Sequence, residues 1–451
     1  MTVNVPRIGV AVALALLGWL FWLAGHREWQ PDSRLVAIEP RTISGDEPHY
    51  LLVLNSLLRD HDLELQDDYR RVRLGSAEAG VGGRGAIFDH HTLFLDKNTG
   101  ATARWRDVYD WGRRVACPPA DCQGFLLRMP QFGPRAGIVE VSAHPVAFPA
   151  LLAAVIAPLR PTPEEAERRA IEVVGLLAWL ACVASYFTGR RAGLSREWAL
   201  AAALLVGACS PFLAYGRSLF SETTIGLSLV LGLWALQAER PALAALAGCA
   251  AMWLKPPFAV VGLLWATEQL WARKPRAAVI LTLVTGAGGL LLVIFNYALA
   301  RTPVIAGVEA WRWAVNLEPL ANTFLSNNYG VLYFVPWTLL VVIAAVRARP
   351  ERTPPRDAGQ ALLRQIALPS LVYVALLCAY SLDPGMCYGP RYWIPLMPWL
   401  GLAVVQLAQC RGVCFRGALV VLALLGALIA IPGALRYRMV FVNGPEKAWR
   451  P

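Results

Sequence analysis

The residues best suited to chemistry in this chain are acids and bases at the edges of oily segments. In "TISGDEPHYLLVLNSLLRDHDLEL" (residues 42–65) two adjacent carboxylates, Asp46 and Glu47, precede a leucine-rich run. A carboxylate so placed can accept a proton from an attacking hydroxyl, or it can serve only as a helix-start acid favoured by the helix dipole. Three other stretches bring cations: "AYGRSLFSETTIGL" carries Arg217 with Glu222, "WLKPPF" carries Lys255, and "YGPRYWIPLMPWL" carries Arg391 and Tyr392. A guanidinium fork matches phosphate oxygens in pairs, whereas an ammonium is a point charge. The plainer role, snorkelling of a helix-end cation to headgroups, stays open for Lys255. His144, in "SAHPVAF", adds a group of the type that changes charge near neutral pH.

These residues have to be positioned by membrane helices. Of 451 residues, 56% are hydrophobic and 16% charged, against about a quarter charged in soluble domains. The apolar residues come in blocks long enough to cross a bilayer, about 20 residues of helix. The chain is therefore expected to be an all-α, multi-pass membrane protein with the lipid bilayer as a partner. The net charge of +11 lies between the apolar blocks, which fits the positive-inside bias and argues against nucleic acid as a partner. Richness in Ala, Leu, Arg, Gly and Trp suggests a bacterial source.

The first span is expected from about Ile8 to Ala24, with Arg7 before it and no small-residue cleavage site after it, the pattern of an uncleaved signal anchor. A long polar region then runs to about Arg169. Within it, "HPVAFPALLAAVIAPL" (144–159) is too short for an ordinary span and should dip into, or lie along, the interface. Further spans should begin near Ala170, Trp198, Ser221, Ala242, Pro257, Ala277, Gly330, Gln365, Arg391 and Gly417, eleven in all. Residues 242–271 could be one helix or two broken at "LKPPF". Two helices keep the most basic loop, Arg347 to Arg364, in the cytoplasm, so a hairpin is expected. The N-terminus is then cytoplasmic. Residues 26–168, 216–221, 255–256, 300–329, 382–391 and 436–451 share the extracytoplasmic face.

From Pro48 onward, Tyr50, Leu51, Leu54, Leu57 and Leu58 fall on one helical stripe, as in a helix lying flat at a membrane surface. The later acids Asp60, Asp62, Glu64, Asp67 and Asp68 read as a solvated face. Of nine cysteines, Cys182, Cys209, Cys249 and Cys378 sit in apolar blocks. Cys117 and Cys122 sit in a polar loop where a disulfide is open, with Cys387 left over on the same side. "GVGGRG" (80–85) reads as a flexible loop. No P-loop, zinc-type Cys/His spacing or Gly-x-Ser-x-Gly elbow is present.

Taken in order, "SGDEPHYLLVLNSLLRDHDLEL", "HPVAFPALLAAVIAP", "YGRSLFSET", "LKPPFAVVGLL", "NNYGVLYFVPWTLL" and "YGPRYWIPLMP" resemble the GT-C superfamily of integral-membrane glycosyltransferases. The likeness is to bacterial members of the protein O-mannosyltransferase and lipid A aminoarabinose transferase type. It covers most of the chain, and its most specific piece is the first block. It implies a single GT-C-type transmembrane domain over 1–451, with 26–168 as a first extracytoplasmic loop carrying juxtamembrane helices. The implied activity moves a sugar from a polyprenyl-monophosphate donor to an acceptor outside the bacterial inner membrane. Asp46 matches the base or orienting aspartate of such enzymes and Glu47 the second acid of the mannosyltransferase branch. His144 falls where the aminoarabinose transferase branch has a basic residue. Only about sixteen residues follow the last expected span, where larger relatives carry a periplasmic domain, so a glycolipid, a glycan and a protein acceptor all stay open.

The residue types suit that chemistry. Asp46, with Glu47, would accept the acceptor's proton; Arg391, Lys255, Arg217 and His144 would meet the departing phosphate; Tyr50, Glu222 and Tyr392 would line the pocket. A single displacement inverts the anomeric carbon. A divalent ion, Mg²⁺ or Mn²⁺, between Asp46, Glu47 and Glu222 stays open, since carboxylates suit such cations. The competing expectation is a transporter or flippase of a lipid-linked or envelope substrate. Transporters place polar groups at the bilayer midplane, often in related halves. Here the candidate charges gather at one face.

Overall fold

The computed structural model describes residues 6–29, 34–37, 46–73, 92–104, 107, 126–133, 137–302, 317–347, 357–379 and 388–436. Cys117, Cys122, Cys387, the 80–85 glycine loop and most of the basic loop after Arg347 lie outside the described residues. The chain divides into two compact units. One comprises Met1–Pro40, Ile171–Gly289 and Ala310–Pro451; the other comprises Arg41–Ala170 and Leu290–Glu309.

The described residues are mostly helical. In order they form α1 (Arg7–His26), β1 (Arg27–Trp29), β2 (Leu35–Ala37), α2 (Glu47–Arg59), α3 (Gln66–Arg73), β3 (Thr92–Asp96), β4 (Thr102–Arg104), β5 (Ile138–Ser142), α4 (Ala147–Ile156), α5 (Pro163–Arg191), α6 (Arg196–Gly207), α7 (Phe212–Tyr215) and α8 (Glu222–Gln237). There follow α9 (Pro241–Leu254), α10 (Ala259–Trp271), α11 (Pro275–Ala300), α12 (Leu317–Leu325), α13 (Val331–Phe334), α14 (Thr338–Arg347), α15 (Ala358–Ala379), α16 (Met397–Cys410) and α17 (Val413–Leu435).

Among the described residues, six helices are long and apolar enough to cross a membrane: α1, α5, α11, Ala358–Leu377 of α15, Arg391–Cys410 (a 3₁₀ segment running into α16) and α17. The spans expected from Trp198, Ser221, Ala242, Pro257 and Gly330 coincide with shorter helices, α6, α8, α9, α10 and the α13–α14 pair. The expected break at "LKPPF" is present. α9 ends at Leu254, Pro256–Phe258 forms a 3₁₀ turn, and α10 returns beside α9 with Gly248 against Gly262. Prolines at 256 and 257 remove two helical amide donors, which ends one helix and starts the next.

In the larger unit, small residues let helices approach. Gly18 faces Trp179, whose indole donates to the Leu14 carbonyl at 2.9 Å, and Gly216 receives the Phe21 ring. Arg391–Cys410 is the most enclosed span, 78% buried, whereas α11 is 17% buried.

The helix ends of this unit sort into two groups. At one, Arg191 donates to the Gln237 carbonyl (3.0 Å), Gln237 to Gln365 (2.8 Å), the Ser195 amide to Gln409 (3.0 Å), and Lys274 pairs with Glu239 (2.8 Å). At the other, Tyr215 donates to the Tyr388 carbonyl (3.0 Å), Arg217 to the Ala434 carbonyl (2.9 Å), and Lys255 and Arg391 to Glu222. The expected sharing of one face by 216–221, 255–256 and Arg391 is therefore seen within this unit.

The smaller unit holds an antiparallel sheet in the order β4-β3-β5. The sequence reading had no strands in this region. Phe94 packs with Ala103, Met129 and Ile138, while Leu93 and Val141 pack with Ala300. Every residue of β3 and β5 is buried, so the solvent-facing alternation that marks a strand in sequence is muted. The β3–β4 turn is set by Asp96, whose carboxylate accepts from the Thr99 hydroxyl (2.6 Å), the Asn98 amide (3.0 Å) and the Gly137 amide (2.9 Å). Those bonds, the Thr99 hydroxyl foremost, hold its carboxyl below the usual range. Gly100, at φ 74°, closes the turn in a conformation that L side chains disfavour.

α2 packs on α4 and α3 against β5. The helix expected from Pro48 exists, but residues 47 to 56 are buried on every side. The one-sided surface helix is thus replaced by an enclosed one, because α4 and α3 cover the faces that the leucine stripe left out.

Candidate functional site

In the smaller unit the sequence-predicted acids and histidine come together. Asp46 occupies the N-cap position of α2 but makes no side-chain cap hydrogen bond, and Glu47 opens the helix with Pro48 behind it. Glu47 is 1% exposed, a low value for a carboxylate, whose charge is costly to remove from water. The strand β5 delivers His144, fixed by its amide donating to the Ser142 hydroxyl at 3.0 Å. His144 Nε2 stands 4.0 Å from Asp46 Oδ1, ion-pair range for a protonated imidazole. The Tyr50 ring lies 5.2 Å from the His144 ring and meets Phe148 of α4 edge-on at 5.5 Å.

The sequence reading missed His49, three residues after Asp46. It is 1% exposed, its Nδ1 shares a 2.7 Å hydrogen bond with the Tyr69 hydroxyl, and its ring lies 6.1 Å from that of His144. The signal was present in "DEPHY", since positions three apart on a helix share a face. The partner Tyr69 arrives from a separate helix and could not be read locally.

In the larger unit Glu222, the first residue of α8, is 0% exposed. Its Oε1 accepts from Lys255 Nζ at 2.7 Å and from Arg391 Nε at 2.8 Å. Lys255 ends α9, where Pro256 stops the helix, and Arg391 begins the 3₁₀ segment before α16, so the trio ties three helix ends together. The Arg391 guanidinium lies 4.0 Å from the Phe220 ring centre, and Lys255 Nζ lies 5.0 Å from that of Tyr392. Cation–π contacts of this kind gain weight when desolvated. Tyr373 donates to the Tyr392 carbonyl at 2.9 Å and so fixes that residue's backbone. Two cations meet on one carboxylate beside an aromatic wall, and guanidinium and ammonium groups are donors suited to an anion. Arg217 takes a different partner, the carbonyl of Ala434 at the end of α17, and is 4% exposed.

Among the described residues, the carboxylate trio with metal-like spacing is Asp60, Asp67 and Asp68, with ligand atoms within 4.8 Å of one another. Arg71 already bridges it, reaching Asp60 at 3.3 Å and Asp68 at 3.5 Å and also pairing with Asp67. Asp68 is 2% exposed, so the expected solvated face does not extend to it. Burial, reinforced by the charges of Asp67 and Asp60, pushes its carboxyl up to about 7.

Compared with known proteins, the chain matches no protein-family model and no curated protein sequence.

Proposed function

We propose that the chain is an integral-membrane glycosyltransferase. It moves a sugar from a polyprenyl-monophosphate donor to an acceptor on the extracytoplasmic face of a bacterial inner membrane. The observation that supports this most is the convergence of Lys255 and Arg391 on buried Glu222. It brings two preorganised cations and an aromatic wall to one end of a helical bundle, a set of groups suited to a lipid phosphate that gains charge as it leaves. In this reading Asp46 accepts the proton of the acceptor hydroxyl. Glu47 and His144 tune and orient it, with the Tyr50 ring beside them. One displacement inverts the anomeric carbon. The chain threads the bilayer about eleven times, the short helices α6, α8, α9, α10 and α13–α14 crossing with the six long ones.

Charge placement argues against transport. A transporter is expected to bind near the midplane through broken helices, whereas the paired charges of the larger unit stand at helix ends. The basic end, with Arg190, Arg191, Arg240, Arg273, Lys274, Arg276, Arg411 and Arg416, is the one the positive-inside bias assigns to the cytoplasm. The Glu222 end then faces outward, where no nucleotide sugar is available and a lipid-linked donor is required. The test is release of free polyprenyl phosphate, followed by mass spectrometry, from a panel of polyprenyl-phosphate sugars supplied with purified protein in lipid. Absence of both donor binding and turnover across the panel contradicts the reading.

A further inference from the structure

At the basic end of the larger unit two helix connections have the same form. α8 ends at Gln237 and α10 at Trp271. Each is followed by a left-handed residue (Glu239, φ 56°; Arg273, φ 57°), a basic residue (Arg240, Lys274) and a proline that begins the next helix. The amides of Arg240 and Lys274 close them equivalently, donating back to Ala235 and Gln269, each at 2.8 Å. The two turns are joined by the Lys274–Glu239 ion pair. α9 and α11 then run side by side, Trp253 donating to the Gly288 carbonyl at 3.1 Å.

Between the turns lies an open cavity of about 610 Å³, floored by Gln269 and Leu236, walled by Ile280 and rimmed by Arg240, Lys274 and Arg276. Among the described residues, neither Arg240 nor Arg276 has a side-chain hydrogen bond or ion pair. With Glu239 answering Lys274, the rim retains two uncompensated charges. The amino ends of α9 and α11 meet the same space, and their dipoles add to the attraction for an anion. Leading away from the rim, Leu243 and Leu246 of α9 and Val279 and Leu283 of α11 are 45%, 57%, 55% and 66% exposed. Trp271, 62% exposed, stands at the same level, as tryptophans do at a bilayer–water boundary.

We propose that this cavity is a binding site for the phosphate headgroup of an anionic membrane lipid. Arg240 and Arg276 hold the phosphate, and the acyl chains lie along the exposed aliphatic faces of α9 and α11. A free anion would use the cations but leave those faces without a role, whereas a phospholipid uses both. Basic pockets between membrane helices recognise anionic headgroups in this way. The site is at the opposite end of the unit from Glu222, and the inference stands independently of the proposed transferase activity.

The test is native mass spectrometry of the full chain, released from lipid particles containing phosphatidylglycerol or phosphatidylcholine. Wild type should retain phosphatidylglycerol and not phosphatidylcholine. Replacing both arginines, Arg240→Gln with Arg276→Gln, should lower retention on the order of 25-fold, about five-fold per basic residue. Replacing Arg196→Gln with Arg411→Gln, two cations of the same end outside the cavity, should leave it unchanged. Millimolar inorganic phosphate should not displace the lipid. Equal losses in the two double variants would reveal diffuse surface attraction, and displacement by phosphate would reveal a soluble-anion site. Either result overturns the proposal.

Discussion

Arg391 donates its Nε proton to Glu222 Oε1 at 2.8 Å, and Lys255 donates to the same oxygen at 2.7 Å. Oε2 of Glu222 has no hydrogen-bond partner among the described residues. Both cations therefore draw on one atom, and the buried carboxylate is the joint between the ends of α8, α9 and the segment entering α16. Removing one partner of a buried ion pair costs about 3–5 kcal/mol, because the charge left behind is neither hydrated nor paired. Glu222→Gln is expected to destabilise the protein by that order. The double variant with Arg391→Gln should lose less than the sum of the single losses, by about 0.5–3 kcal/mol. Thermal unfolding in detergent of the four proteins of this cycle measures the coupling.

The approach of Arg391 to Glu222 depends on the backbone two residues earlier. Gly389 has φ 63°, and a Cβ added there would stand 2.8 Å from the Phe334 ring. A left-handed conformation costs an L residue about 1–2 kcal/mol, and displacement of the ring adds to this. Gly389→Ala should lower the unfolding temperature. If the proposed donor site is right, it should also weaken donor binding, because Arg391 shifts with the turn. A ring-reducing second change, Phe334→Leu, should restore part of the stability by relieving the collision.

The Asp68 carboxyl, at about 7 when folded and about 3.9 when unfolded, binds its proton more tightly in the native state. The folded form is thus favoured most below pH 4, and that advantage fades as pH rises to about 7. Asp68→Asn removes the titration but keeps the shape. Its melting temperature should exceed that of wild type at pH 8, and the difference should shrink as pH falls toward 4. Melting curves recorded at both pH values decide it; a difference that does not change with pH contradicts the assignment.

The membrane character, the break at "LKPPF" and the placing of Arg391, Lys255 and Glu222 at one end of the larger unit were legible because each rests on a local signal: apolar block length, paired prolines, or a charge at the edge of an oily run. The pairing of the two cations with Glu222 was not, since it depends on three helix ends meeting. The Asp46–His144 proximity was legible only as a shared location, because it depends on β5 returning the chain to the start of α2. The sheet itself was missed. β3 and β5 are buried on both faces and so lack alternation, and β4 is only three residues long, although "DKNTG" between "TLFL" and "ATAR" is a usable hairpin signal. The enclosure of α2 and the burial of Asp68 were also out of reach. The first depends on α3 and α4 as neighbours, and the second on Arg71 and its partners gathering around one helix.

The central claim is that Asp46 serves as the base for transfer from a polyprenyl-phosphate sugar. Because asparagine matches aspartate in size and suits an N-cap position equally well, Asp46→Asn should fold and melt as wild type does while losing about 10²–10⁴-fold in rate. The most direct measurement compares wild type and Asp46→Asn in lipid with one accepted donor, counting free polyprenyl phosphate by mass spectrometry. Turnover in wild type, with retained donor binding but no turnover in the variant, is the result predicted here. Equal turnover in the two proteins would contradict the assignment of Asp46.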